Sequence, residues 1–287
     1  MSSVLLVAHH ERPEAADLAR STSEWLRAHG HDPYLSHDDA GPLDLQHLAD
    51  ERSPETADLA ISLGGDGTML RTVKMLGGAG TPIIGVNVGQ LGYLTETEPH
   101  GLPAVLERWF AGPAAGEWQL DERMLLDLRI ERRGEAPPLL FTALNEGVIE
   151  KREPGHTVRL QVDIDGTPFT SYAADGLILA TPTGSTAYSM SARGPVVSPR
   201  LRAVLLTPVS PHMLFDRTLV LDRTEHVVVE LLGHRPATLS VDGQHATGLE
   251  EGDRVLVGVS EHVARFVRFG DRRFHQILKA KFGLTDR

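Results

Sequence analysis

The stretch Leu59-Ala60-Ile61-Ser62-Leu63-Gly64-Gly65-Asp66-Gly67-Thr68 decides how this chain is read. Five mostly apolar residues running into a glycine cluster suit a buried strand, and apolar spacing from Thr68 to Leu76 fits a helix, so the glycines form a strand-to-helix turn. Working outward, Val4-Leu5-Leu6-Val7-Ala8 is another short buried strand. A helix follows it: Pro13 suits the first turn, Ala15, Leu18, Ala19, Thr22, Trp25 and Leu26 recur at three- and four-residue steps, and Gly30 stops the pattern. Gly41 to Glu55 is polar and proline-punctuated, and Pro82 to Val88 reads as a further strand. Alternation of strand and helix predicts a mainly parallel sheet with helices packed on it.

After about Asp121 the period changes to two. Met124, Leu126, Leu128 and Ile130 share one strand face, as do Val158, Leu160, Val162 and Ile164, and Asp165-Gly166 marks a hairpin. Val227 to Leu232 and Val255 to Val259 continue the β character, proline and glycine mark a junction at Ala111 to Gly116, and Arg272 to Phe282 predicts a short helix. The expected organisation is an α/β domain over residues 1–120, a β-rich domain over 121–270 and a helical tail over 271–287.

The 287 residues, 41% hydrophobic and 23% charged, are enough for about two domains. Lys and Arg total 28 against 39 Asp and Glu, and a net charge of −11 argues against a broad nucleic-acid surface while leaving room for a local phosphate site. The absence of cysteine excludes disulfides, thiolate zinc sites, iron–sulfur clusters and cysteine nucleophiles. The 14 histidines show no His-Glu-x-x-His spacing, and no structural metal is expected. No apolar stretch approaches the roughly 18 residues of a membrane span, and the first apolar run lacks a basic flank, so no membrane partner is expected and the protein is read as cytoplasmic.

Three segments carry candidate chemistry. The Gly64 to Thr68 turn belongs at the C-terminal edge of a parallel sheet, where ligands of open α/β sheets gather, and its backbone allows close approach of a phosphate to helix N–H groups. Asp66 would repel that phosphate unless it meets a substrate hydroxyl or helps hold a divalent cation between phosphates. No lysine follows the glycines, so this is not a Walker A loop, and Gly-x-Gly-x-x-Gly is absent. A second loop, Thr181-Pro182-Thr183-Gly184-Ser185-Thr186-Ala187-Tyr188-Ser189, gathers five Ser and Thr hydroxyls around one glycine. It reads either as a holder of ribose and phosphate oxygens, with Tyr188 offering a face to a base, or as a helix start capped by Ser185 or Thr186. Asn145-Glu146, after the apolar Leu139 to Leu144, can read an adenine edge and a ribose diol, or be a solvated strand end.

With these segments in hand the chain resembles the NAD kinases over nearly its whole length. The resemblance rests on Gly64-Gly65-Asp66-Gly67-Thr68, Asn87-Val88-Gly89-Gln90-Leu91-Gly92-Tyr93-Leu94, Asn145-Glu146, the long string from Asp175 to Ser191, Pro211-His212 and Asp242-Gly243-Gln244. The first element is shared with diacylglycerol and sphingosine kinases, although the acidic balance and the lack of a basic amphipathic anchor argue against a lipid kinase. The string through Thr181 to Ser189 is far more specific. The resemblance implies a Rossmann-like α/β domain followed by a mainly-β domain. It implies transfer of a phosphoryl group from ATP, with Mg²⁺, or from polyphosphate, to the 2′-hydroxyl of the adenosine ribose of NAD, in a homodimer or homotetramer. Asp66 would be the catalytic base and border the ligand with Gly67. Asn145 and Glu146 would hold adenosine, Asp175 and Thr186, Ala187, Tyr188, Ser189, Met190 and Ser191 would complete the NAD site, and Arg71, His156 and Gln244 match further ligand positions. A non-catalytic NAD(P)-binding regulator on the same scaffold is the alternative. It is motivated by Arg193-Gly194-Pro195, where the family usually has two glycines before proline. Gly147 likewise replaces a commonly apolar residue.

Overall fold

The computed structural model describes residues 1–90, 92–134, 136–270 and 274–284. The chain forms two compact units, Met1–Glu122 together with the chain from Ala264 onward, and Arg123–Val263. Leu91 of the Asn87 to Leu94 string, and the first two residues of the expected C-terminal helix, lie outside the described residues.

The first unit begins with β1 (Ser3–Ala8), α1 (Pro13–Ala28), β2 (Asp32–Ser36), α2 (His37–Ala40), β3 (Ala49–Asp50), β4 (Leu59–Gly64), α3 (Asp66–Met75), β5 (Pro82–Asn87), α4 (Leu102–Phe110) and α5 (Pro113–Gly116). Neighbouring strands run β5-β4-β1-β2-β3, all parallel. Leu59, Ile61 and Leu63 of β4 are completely buried, each worth about 1.5–3 kcal/mol in removed apolar surface. The apolar spacing of α1 does what it predicts: Ala15, Ala19, Thr22 and Leu26 turn inward, with Pro13 at the start and Arg27 in the last turn complementing the helix dipole. Elements α2, β2, β3, α4 and α5 go beyond the sequence reading. The Pro33-Tyr34-Leu35 centre of β2 is too short and proline-broken to stand out, and the amphipathic α4 buries Leu102 and Leu106 against the same core.

The second unit contains most of β6 (Gln119–Glu131), then β7 (Leu139–Ala143), β8 (Glu146–Lys151), β9 (Val158–Ile164), β10 (Thr167–Ala174), β11 (Gly176–Ala180), α6 (Tyr188–Ser191), β12 (Ala203–Val209), β13 (Leu219–Asp222), β14 (Val227–Leu232), β15 (Ala237–Val241), β16 (Gln244–Leu249) and the first part of β17 (Arg254–Arg268). One sheet is the antiparallel run β13-β12-β11-β8-β15-β16, and β10-β9-β14-β17 forms another antiparallel run. The period-two positions Leu126, Leu128, Ile130, Leu160, Val162, Leu177, Leu179, Val227 and Val229 pack into one core. Strand β17 extends nine residues past the Val255 to Val259 run, and its Arg265 and Phe266 pair in parallel with Pro82 and Ile83 inside the first unit. The final described element, α7 (Phe274–Lys281), buries Ile277.

Candidate active site

In the first unit, register places the site. Ala8 pairs with Leu63 and Gly64 with Asn87, so the segments after β1, β4 and β5 all leave the same edge of the parallel sheet. Helix α3 starts at Asp66, two residues earlier than the apolar spacing indicates, because Gly65 is an extended N-cap whose carbonyl accepts from Thr68 and Met69 N–H. A Cβ on Gly64 would sit 2.1 Å from Thr68 Oγ1, so the missing side chain lets the helix close onto the strand. Asp66 thereby falls in the first helical turn, where the dipole favours its negative charge. Its two carboxylate oxygens are held separately: Oδ2 accepts from Tyr93 N–H at 2.8 Å and Oδ1 from Leu94 N–H at 3.0 Å. Gly92 makes this possible, since a Cβ there would lie 2.2 Å from Asp66 Oδ1. Gly67 is exposed beside it.

Arg71, one turn further along α3, reaches back across the same edge. It pairs with Asp39 and donates to the carbonyl of Ala8, and lies 2.9 Å from His10 Nε2, which itself meets Asp39 Oδ1 at 2.6 Å. Asp39 is 1% exposed, and its second oxygen has no hydrogen-bond partner among the described residues. Nothing in the local sequence singles out Asp39 for this: it is one of two adjacent aspartates in a four-residue helix, held where Ser36 accepts from its N–H.

The second unit has its own convergence. Ala180 pairs with Glu146, and Val241 with Gly147, so the 144–146 segment, the loop after β11 and the turn after β15 share one edge of the six-stranded sheet. Glu146 opens β8 rather than closing a strand, and is 5% exposed. Burial, and next the negative charge of Asp242, push its carboxyl up to about 7, opposed by a hydrogen bond from the Tyr188 backbone. Its Oε2 has no hydrogen-bond partner among the described residues. The Thr181 to Ser189 loop spends its hydroxyls internally. Thr181 Oγ1 donates to Leu144 O at 2.6 Å and accepts from Gly184 N–H, Ser185 Oγ bonds both Pro182 O and Val197, and Ser189 Oγ meets Thr207 Oγ1. Of the two readings of this loop, the N-cap by Ser185 or Thr186 does not form; α6 starts after Ala187 with no side-chain cap. Gly184 is required by contact, because a Cβ would strike the Asn145 carbonyl oxygen at 2.2 Å. Tyr188 and Ser191 are exposed while Thr186, Ala187 and Met190 are half-buried.

The remaining residues are more scattered. Asp175 lies at the other end of β11, paired with Lys151 Nζ at 2.5 Å. Tyr188 ties the two ends electrically: burial raises its pKa, as do the charges of Glu150 and Asp175. Gln244 opens β16 next to the Asp242-Gly243 turn, and His156 is exposed in the loop between β8 and β9. Both departures from the family pattern have a physical setting. Leu128 packs over Gly147, where a Cβ would meet its Cδ2 at 2.2 Å, and Arg193 sits exposed at φ +67°, a left-handed conformation that suits glycine.

An aspartate with both oxygens anchored, set at a helix start that favours anions, can take a proton from a hydroxyl while a phosphoryl group is transferred to that oxygen. The class this defines is that of phosphotransferases with an alcohol acceptor. Residues 4–114 match the model of the ATP-NAD kinase N-terminal domain and residues 144–269 that of the C-terminal domain. An NAD kinase of Heliobacterium modesticaldum is 39% identical over 98% of both chains, and one of Syntrophotalea carbinolica is 36% identical over the whole of both. Among solved structures, an NAD kinase from Archaeoglobus fulgidus in complex with ATP is similar at 25% identity and a TM-score of 0.71, covering 98% of this chain and 96% of that one. Yeast NADH kinase complexed with NADH shares the fold with a TM-score of 0.87 over 100% of this chain and 89% of that one, at 24% identity. The chain belongs to the NAD kinase family, transferases that phosphorylate NAD.

Proposed function

We propose that this chain transfers the γ-phosphoryl group of ATP to the 2′-hydroxyl of the adenosine ribose of NAD, with Asp66 as the base. The observation that carries this reading is the double anchoring of Asp66 by Tyr93 and Leu94 N–H at the start of α3. An aspartate is far less basic than a ribose alkoxide, so it accepts the proton as the oxygen–phosphorus bond forms, not before. The bond between the γ-phosphorus and its bridging oxygen breaks, ADP leaves, and the proton rests on Asp66. Such a base contributes roughly 100- to 10,000-fold, and alignment of hydroxyl and phosphate supplies much of the rest. In this reading Asp66 and Gly67 border the reacting ribose and phosphates, Asn145 and Glu146 hold adenosine, Asp175 and Thr186 to Ser191 complete the NAD site, and Arg71, His156 and Gln244 are further ligand positions. In this reading a magnesium ion arrives on the triphosphate as part of the substrate.

The same reading carries assembly as a homodimer or homotetramer and residence in the cytoplasm; among the described residues no helix is long and apolar enough to cross a membrane. The test is NADP formation from NAD and MgATP, read with an NADP-specific dehydrogenase, with polyphosphate and NADH in parallel. Asp66→Asn should retain NAD binding by calorimetry while turnover falls at least about 100-fold. A near-wild-type rate removes Asp66 from the base role, and dinucleotide binding with no NADP from any donor replaces the kinase reading with that of a regulator.

A further inference from the structure

Asp242 was named in the sequence only as part of an Asp-Gly-Gln string, yet it organises the acceptor-site edge of the second unit. It follows β15 in a left-handed backbone conformation, φ +47°, ahead of Gly243 at φ +75°. That turn aims its carboxylate at three consecutive backbone amides: Oδ2 accepts from Leu144 N–H at 2.8 Å, and Oδ1 accepts from Asn145 N–H at 2.7 Å and Glu146 N–H at 3.1 Å. The Asp242 N–H in turn donates to the Glu146 carbonyl at 2.9 Å. From the other side, Thr181 N–H donates to Asn145 O and Thr181 Oγ1 to Leu144 O. The Leu144 to Glu146 backbone is thus fixed by two neighbouring strand ends before any ligand arrives. Six hydrogen bonds, three of them to the Asp242 carboxylate, are far more than a surface turn needs to hold its shape.

The object of this bracing is a side chain with unspent capacity. Glu146 is 5% exposed, and its Oε2 has no hydrogen-bond partner among the described residues. Buried polar atoms are normally satisfied, and an exception at a prepositioned carboxyl points to a ligand that completes it.

We propose that Asp242 is a positioning residue for the dinucleotide acceptor: by locking the Leu144 to Glu146 backbone, it presents the Asn145 amide and the unpartnered Glu146 Oε2 to the nucleoside part of NAD. Asp242 itself does not touch the ligand in this account. The inference rests on the kinase reading for the identity of the ligand. It also has an electrostatic side that a purely structural clamp lacks. After burial, the Asp242 charge is what raises the Glu146 carboxyl, and the Tyr188 N–H opposes it. Arg123 of β6 donates to Thr183 Oγ1 in the adjoining loop and is a cation of the same loop cluster. Removing the charge at position 242 therefore lets Glu146 ionise at lower pH.

The test is NAD binding by calorimetry between pH 5.5 and 9 on the full-length protein, beside steady-state kinetics in both substrates, for wild type and Asp242→Asn. The substitution retains the shape but puts an amide NH₂ where an oxygen accepted a backbone N–H. The expected result is an NAD dissociation constant raised about tenfold or more, a KM for ATP within about threefold of wild type, and a downward move in the pH midpoint of NAD binding. Asp242→Glu, which keeps the charge, should leave that midpoint near its wild-type position even where its longer stem weakens binding. Wild-type NAD affinity and an unmoved midpoint in Asp242→Asn overturn the proposal, even if the variant melts earlier. Equal losses for NAD and ATP overturn it too. A wild-type protein that binds NAD but forms no NADP defeats the kinase reading while the binding comparison still decides the role of Asp242; failure to bind NAD at all defeats both.

Discussion

Replacing Gly92 by alanine isolates the anchoring of Asp66 from its chemistry. The new Cβ would lie 2.2 Å from Asp66 Oδ1 and 2.9 Å from Thr95 Oγ1, against ordinary contacts that begin near 3.4 Å. The carboxylate oxygen must therefore retreat by about 1 Å, which breaks the bonds from Tyr93 and Leu94 N–H but displaces only the end of a flexible side chain. Asp66 is half-buried and water can reach it, so the loss of stability should stay under about 2 kcal/mol. A misplacement of about 1 Å at a reacting group costs on the order of 100-fold in rate, equivalent to about 3 kcal/mol of barrier. Gly92→Ala should thus show a kcat for NADP formation roughly 100-fold below wild type, an NAD dissociation constant close to wild type, and a melting midpoint lower by only a few degrees. The assay is initial-rate kinetics with calorimetry and a thermal melt on the same preparation. A folded variant with kcat within about threefold of wild type would refute the claim that the two amides set the working position of Asp66.

Other outcomes follow from the same geometry. Because the Glu146 carboxyl is raised from about 4.5 to about 7, its neutral form favours the folded state. That stability is complete below the unfolded value and is lost as pH rises through 7, up to about 3 kcal/mol. Glu146→Gln should accordingly raise the melting midpoint by several degrees at pH 8 and leave it unchanged near pH 4, and equal shifts at both pH values would contradict the assignment. Asp39→Ala strands Arg71 and His10 and should cost about 3 kcal/mol in urea unfolding, the low end for breaking a buried pair, because Arg71 remains a quarter exposed. Arg193→Gly removes a side chain from a left-handed backbone position and should stabilise by roughly 1 kcal/mol; an unchanged or lowered midpoint would show that the position carries no strain.

The parts of the site legible in the sequence are those written in residue types with short spacing. The Leu59 to Leu63 strand, the glycine turn and the period-two strands follow from local patterning. What could not be read is long-range and mostly backbone. Asp66 is held by amides 27 and 28 residues away, and Asp242 by amides up to 98 residues away. A backbone N–H is the same in every residue type, so no side-chain pattern announces it. The hydroxyl-rich loop shows the converse. Its Ser and Thr residues looked like ligand donors because composition cannot tell whether a hydroxyl faces outward or, like Thr181 and Ser185, is consumed in folding its own loop. Asp39 and the early start of α3 needed the fold for the same reason, since both depend on where neighbouring strands end.

The parallel sheet of the first unit has an implication for how the protein is made. Its β5 strand is paired at Arg265 and Phe266 by a segment that the ribosome delivers only after residues 123–263 have been synthesised. At about 5–20 residues per second that is a wait on the order of ten to thirty seconds. During it, a nascent first half would present Pro82, Ile83 and Ile84 on a strand end whose flank is unpaired, Val86 being already bridged to Thr97, and an unpaired flank is the condition under which sheets recruit foreign strands. A chain cut short near residue 260 is stuck in that condition permanently, with every residue of the glycine turn in place and a sheet that still lacks its last partner.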